Sequence, residues 1–151
     1  MSSNLISANF NMLKMIHTYF CLSILFFVSL AFFLRFNEEI VFDNEFFLYI
    51  TPILSTIIAV GGYLFYRYHL TMIHPEDPLL LRLQTYKKGK LVEFASFELA
   101  AILPALITIS IGNIYFLIIS VIAFLILLYN RPDLNSFYQK TGVNNSELNL
   151  N

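Results

Sequence analysis

Four apolar runs divide the chain, at residues 15–34, 46–66, 92–111 and 114–129. A membrane-spanning helix needs about 20 mainly apolar residues, within a range of roughly 17–25. The first three runs meet that length, and the shorter fourth run meets it when Arg131 extends the helix toward the lipid headgroups. Because the runs are continuous rather than alternating, they predict helices and not the strands of a membrane barrel.

The first run has an alternative interpretation as a cleaved signal peptide. Only Lys14 would supply the positive charge before it, and the run is longer than the roughly 7–15 apolar residues of a signal peptide. Residues 30–33 offer no pair of small residues at a cleavage site. We therefore interpret the run as an uncleaved membrane span.

Lysine and arginine residues indicate the orientation of the spans, because cytoplasmic loops carry an excess of both. When both termini are placed in the cytoplasm, Arg35 is the only one of the 9 Lys and Arg residues on the outer side. The reversed orientation would leave Arg35 alone on the inner side. The sequence therefore predicts that both termini are cytoplasmic.

The links between the runs predict how the helices pair. Gly112-Asn113 is a short turn that forces the third and fourth spans into an antiparallel hairpin. The first two spans form a second hairpin across an acidic outer loop. The predicted fold class is therefore all-α, an integral membrane four-helix bundle of two antiparallel helical hairpins, over residues 15–131.

Three further segments flank or interrupt this domain. Residues 1–14 are expected to form a flexible N-terminus, and residues 132–151 a polar C-terminal tail. Residues 67–91 form a cytoplasmic loop, in which Asp77-Pro78 is typical of a helix N-cap followed by the first helical position. Residues 79–90 are either an interfacial helix or an extension of the third span, and the pattern leaves both open.

Composition agrees with a membrane protein. The chain is 58% hydrophobic and only 13% charged, about half the charged fraction of a soluble domain. A net charge of -1 gives no indication of a nucleic-acid partner. Cys21 is the single cysteine, so the chain has no internal disulfide.

Glu98 is the polar residue most out of place. It falls roughly 9 Å inside the third run at ~1.5 Å per residue, where a carboxylate must face protein or water. At about 100° per residue, Ala95, Ala101 and Ala105 share its helix face, and such small residues allow a neighbouring helix to approach closely.

Two interpretations of Glu98 stay open. In the first it binds an ion or a proton. In the second it makes a structural hydrogen bond, for which Tyr19 and Tyr63 lie at matching depth on the first two helices. These three residues form the candidate intramembrane polar site. Glu93, nearer the surface, is expected to form an interfacial ion pair with Lys88 or Lys90.

Other residues have simpler interpretations. A stripe of small residues at Ser55, Ala59 and Gly62 predicts helix packing, most simply within the same chain. His17 and His69 have the depth to ligate one haem iron, but nothing else in the sequence favours haem. The sequence predicts no catalytic residues, no metal ligands and no cofactor, and it does not assign an enzyme activity.

The second half of the chain has the features of a known group of proteins. These are the basic stretch at 86–88, the glutamate in Glu98-Leu99-Ala100-Ala101, the turn at 112–113 and the closing Arg131-Pro132. Over residues 79–142 the chain resembles small uncharacterised four-helix membrane proteins of Bacteroidetes-type bacteria. That group has glycine after the glutamate, where this chain has Leu99. The resemblance implies four helices and a bacterial inner membrane, and it carries no activity.

Three functions are compatible with this pattern. We favour a non-enzymatic accessory or scaffold subunit that acts by association, with a membrane protein partner or further copies of itself. The alternative is an ion- or proton-binding membrane protein that uses Glu98. A membrane enzyme that uses His74 in the cytoplasmic loop has no motif in its support.

Overall fold

The structure is a computed structural model that describes residues 2–36 and 45–142. The described part is helical, with no strand in these ranges. The five helices are α1 Ser2–Arg35, α2 Glu45–Thr71, α3 Leu79–Ile111, α4 Phe116–Tyr129 and α5 Leu134–Thr141. The predicted acidic outer loop falls mainly on residues 37–44, which lie outside the described residues.

Three of the helices mark the chain as a multi-pass membrane protein. The stretches Ile6–Arg35, Phe46–Thr71 and Leu79–Ile111 are long and apolar enough to cross a membrane. The predicted fourth span corresponds to α4, which has 14 residues and a length of only about 21 Å. It meets the same test only together with α5, across a bend of 74°.

Helix α1 begins at Ser2, so most of the N-terminal segment predicted to be flexible is helical. Ile6, Phe10 and Leu13 are buried there, with 3%, 1% and 2% of their surface exposed. Phe10 packs on the rings of Tyr86 and Phe137, with centroids 6.0 and 5.4 Å away. The burial of these apolar side chains offsets the entropy lost when the segment becomes ordered.

Helix α3 decides the question left open for residues 79–90, because it is continuous for 33 residues. The segment is an extension of the third span and not a separate interfacial helix. Its N-cap is Pro78 rather than the predicted Asp77. The Asp77 carboxylate instead accepts a hydrogen bond from the backbone N–H of His74, at 3.1 Å, and so closes the preceding turn.

The predicted polar tail, residues 132–151, begins with the short helix α5. Asp133 caps α5 by accepting a hydrogen bond from the backbone N–H of Ser136, at 3.3 Å. Phe137 is completely buried, and its burial holds α5 against the rest of the molecule. Residues 143–151 lie outside the described residues.

Helix α3 is the central element, packed against α1, α2 and α4, and most extensively against α2. Near one end, Lys87 Nζ donates a hydrogen bond to Asn9 Oδ1 of α1 at 3.3 Å. At the other end, Arg35 Nε of α1 donates to the Ile109 carbonyl at 2.9 Å. Gly62 of α2 lies against Ser96, so the predicted stripe of small residues packs within the chain at this point.

The predicted turn after α3 contains the backbone that such a link needs. Gly112 has a φ of 87°, the left-handed conformation that glycine adopts without strain, and its N–H donates to the Thr108 carbonyl at 2.9 Å. Asn113 is buried, and its side-chain oxygen accepts a hydrogen bond from the backbone N–H of Tyr115. The turn thereby leads directly into α4.

Candidate functional site

Glu98 lies half-buried at the edge of the packed face of α3. Its neighbour Phe97 is buried, whereas Leu99 on the other side is 53% exposed. Of the alanines predicted to share its face, Ala101 and Ala105 are completely buried and Ala95 is exposed. Glu98 therefore stands between the protein interior and the outer surface of the bundle.

The two tyrosines of the predicted site are exposed at the surface of the bundle. Tyr19 is 62% exposed and Tyr63 is 42% exposed. Within the described residues, Glu98 forms no hydrogen bond or ion pair with either tyrosine. The structure thus does not join the three candidate residues into one site.

A buried ion pair lies within α3. Lys90 Nζ lies 2.7 Å from Glu93 Oε2, with only 5% and 1% of the two side chains exposed. The sequence predicted this pairing at the interface, whereas the structure encloses it between helices. Removing two charges from water is costly, so the pair persists only because surrounding groups also stabilise it.

Tyr66 of α2 supplies part of that stabilisation. Lys90 Nζ lies over its ring, 4.3 Å from the centroid, in a cation–π contact. Lys140 of α5 reaches the same tyrosine and donates a hydrogen bond to Tyr66 Oη at 3.1 Å. We call Tyr66, Lys90, Glu93 and Lys140 the Lys90 cluster. It joins α2, α3 and α5.

The charges of the Lys90 cluster affect one another. Partial burial lowers the pKa of Lys140, and the positive charges of Lys90 and Arg67 lower it further against the opposing effect of Glu93. Lys90, Arg67 and Lys140 therefore lie within electrostatic reach of one another, and Glu93 opposes their charge. The cluster carries an excess of positive charge.

Close backbone contact brings the cluster together. A Cβ atom at Gly89 would lie 3.1 Å from His69 Cβ and 3.2 Å from Tyr66 Cδ2, so glycine allows α2 and α3 to approach.

On the side of α5, Arg82 donates a hydrogen bond to the Thr141 carbonyl at 3.2 Å. This contact places a positive charge at the C-terminal end of a helix, where the helix dipole favours it.

An apolar groove lies between α2 and α4, with α3 as its floor. Its volume is about 380 Å³. Six of the residues that line it are Ser55, Ala59, Tyr63, Ala100, Ile126 and Asn130. We call it the α2–α4 groove, and through Tyr63 it contains one member of the predicted site.

The two histidines considered for haem bind backbone carbonyls instead. His17 Nε2 lies 2.9 Å from the carbonyl oxygen of Leu127 on α4, and the imidazole ring packs edge-on against Phe94. His69 Nδ1 lies 3.1 Å from the carbonyl of Phe65 in its own helix. Residues 2–36 and 45–142 contain no group of three or more His, Cys, Asp or Glu side chains able to hold a metal ion.

Part of this arrangement is visible in the sequence. The spacing of Lys90 and Glu93 indicates an ion pair, because residues three apart lie on one helix face. Lys140 gives no such signal, since its contact with Tyr66 depends on the bend between α4 and α5.

Comparison with known proteins finds no matching family model, curated protein or solved structure.

Proposed function

We propose that the chain is a multi-pass protein of a bacterial inner membrane that acts by association, as a non-enzymatic accessory or scaffold subunit. In this proposal α1, α2, α3 and α4 form four spans in two antiparallel hairpins, and both termini are cytoplasmic. Lipid surrounds the bundle, and the partner is another membrane protein or further copies of the chain.

The observation that carries the proposal is the outer surface of the long helices. Large apolar side chains are exposed on every one of α1 to α4, among them Phe26, Phe33, Ile57, Leu99 and Ile118. A soluble protein does not expose apolar surface on this scale, whereas lipid tails or apolar helices of a partner cover it at no cost.

The helix contacts support the proposed topology. Asn9 and Arg35 of α1 bind the beginning and the end of α3, so these two helices run in the same direction. Helix α2 runs in the opposite direction to α3. Its Gly62 lies against Ser96 of α3, whereas His69, later in α2, lies against Gly89, earlier in α3. Alternating directions of this kind are what successive membrane spans require.

The polar side chains between the helices support a structural rather than a catalytic role. His17 of α1 binds a carbonyl of α4, and Ser120 of α4 donates to the Ala101 carbonyl of α3 at 2.7 Å. Arg35 of α1 donates a hydrogen bond to the Ile109 carbonyl of α3. These side chains hold helices together instead of converging on a reaction site.

Native mass spectrometry of the tagged protein, extracted from its own membrane in mild detergent, tests the proposal. We expect a stoichiometric second protein or a defined homo-oligomer. As a matched control, the same extraction is repeated with Phe26→Asn and Phe33→Asn on the exposed face of α1. A strictly monomeric protein in every detergent and in lipid nanodiscs would overturn the proposal.

Glu98 supports a second candidate function, binding of a proton or a cation. The observation in its favour is a half-buried carboxylate without an ion pair or hydrogen bond to any described residue. We expect Glu98→Gln to abolish the cellular function while the protein still folds, and Glu76→Gln, in the exposed loop, to have no effect. Full function of Glu98→Gln would exclude this candidate.

A further inference from the structure

The α2–α4 groove runs along the part of the bundle that the proposed topology places in the membrane. Its lining is almost entirely apolar, from Ser55 at one end to Tyr63 and Asn130 at the other. A volume of about 380 Å³ lies within the range of roughly 300–1,000 Å³ found for ligand pockets. The groove thus offers an apolar ligand more contact than a smooth helix surface does.

Three cations are linked to the residues at one end of the groove, two along the chain and one through a hydrogen bond. Arg67 follows Tyr63 by one turn of α2 and is exposed, and Arg131 directly follows Asn130 and is exposed as well. Lys140 reaches the same turn of α2 through its hydrogen bond to Tyr66. By the Lys/Arg distribution, this end of the groove is the cytoplasmic one.

Among the described residues, the carboxylates of Glu93 and Asp133 lie near these cations, and each already has a partner. Glu93 pairs with the buried Lys90. Asp133 accepts the backbone N–H of Ser136 as the cap of α5. The end of the groove therefore keeps an excess of positive charge, at the depth where the phosphates of the inner leaflet lie.

We propose that the α2–α4 groove binds a phospholipid with an anionic headgroup, one acyl chain in the groove and the phosphate among Arg67, Arg131 and Lys140. The inference rests on the membrane topology given under the proposed function. The apolar channel and the positive end together match an amphipathic anion, because neither a neutral lipid nor a small soluble anion uses both. Each Lys or Arg beside an anionic lipid contributes about 1 kcal/mol, which corresponds to roughly fivefold in affinity.

Native mass spectrometry of the purified, delipidated protein provides the test, with phosphatidylglycerol and phosphatidylcholine of identical acyl chains as probes. We expect one molecule of phosphatidylglycerol to bind, at least about fivefold more tightly than phosphatidylcholine. Arg131→Gln and Lys140→Gln should each lower that preference by roughly fivefold. Lys88→Gln, an exposed cation on α3, should leave it unchanged.

A second pair of variants tests the groove itself. Ala59→Phe fills the groove and should weaken binding of both lipids, whereas Ala95→Phe on the exposed face of α3 should weaken neither. The folding of each variant is checked by the protection of the buried Cys21 from a maleimide dye. If Ala59→Phe fails this check, it is replaced by Ile126→Trp, on the opposite wall of the groove.

Three outcomes would overturn the inference. One is equal affinity for the two lipids, and another is unsaturable phosphatidylglycerol binding that Ala59→Phe does not affect. The third is competition by inorganic phosphate alone, which would show an anion site without a lipid site. Association of the chain with a partner is measured independently, so a failed lipid test leaves the proposed function intact, and loss of the partner leaves the lipid result intact.

Discussion

At the level of single residues, Gly62 shows how closely α2 and α3 approach. A Cβ atom at this position would overlap the side chain of Ser96, whereas a Cβ atom at the adjacent Gly61 would meet nothing within 4 Å. Two neighbouring glycines in one helix therefore face opposite environments. Of these two glycines, only Gly62 is required by the packing of α2 on α3.

This contrast gives a matched prediction. We expect Gly62→Ala to destabilise the protein by about 1–3 kcal/mol, as overpacking does, and Ser96→Gly in the same chain to restore part of the loss. Gly61→Ala should be neutral or stabilising by up to about 1 kcal/mol, because alanine favours a helix. Labelling of the single buried Cys21 by a maleimide dye during heating measures unfolding. Equal midpoints for the two alanine variants would show that the contact between Gly62 and Ser96 does not limit stability.

The buried Lys90–Glu93 pair leads to a second prediction at this scale. Glu93→Gln leaves the Lys90 ammonium buried without its counter-ion, and the loss of one partner of a buried pair costs about 3–5 kcal/mol. Replacing both residues, as Lys90→Met with Glu93→Leu, should recover most of that stability. Maleimide labelling of Cys21 during heating measures the unfolding of both variants. If Glu93→Gln is as stable as the parent protein, the pair is exposed to water in solution.

Helix α2, the apolar part of α3 and the Gly112 turn follow from the sequence because local signals specify them. The helices are specified by long apolar runs, and the turn by a glycine that adopts the left-handed conformation. The start of α1 and the whole of α5 do not follow from such signals. Phe10 and Phe137 lie in segments of mixed polarity, and they are buried by packing on each other and on Tyr86. The candidate site shows the same division, since the Lys90–Glu93 spacing is local and the contact of Lys140 with Tyr66 is not.

The dependence of α5 on one side chain can be tested. Phe137→Ala should release α5, because truncation of a fully buried aromatic residue costs about 3–5 kcal/mol. We expect trypsin to cleave after Lys140 more rapidly in this variant, while the spans resist. The exposed Gln139→Ala serves as the control and should be cleaved at the parent rate. Unchanged cleavage of Phe137→Ala would mean that the capping hydrogen bond and Arg82 suffice to hold the helix.

At the scale of the whole molecule, the short α4 decides the topology. If α4 crosses the membrane, the C-terminus returns to the side of the N-terminus, and if it does not, the two termini lie on opposite sides. A green fluorescent protein fused after Asn151 should fluoresce, and alkaline phosphatase fused there should be inactive. Inserted into residues 37–44, the phosphatase should be active. An active C-terminal phosphatase would reduce the number of spans to three.

The position of α5 in the chain has a consequence for how the protein is made. The rings of Phe10 and Tyr86 belong to helices that are synthesised early, and the ring that completes their packing, Phe137, is synthesised after α4. In the proposed topology, a nascent chain that still lacks α5 therefore presents to the cytoplasm the part of these two rings that Phe137 covers in the structure. A protease or chaperone that recognises exposed apolar surface would distinguish such a chain from one in which α5 is packed.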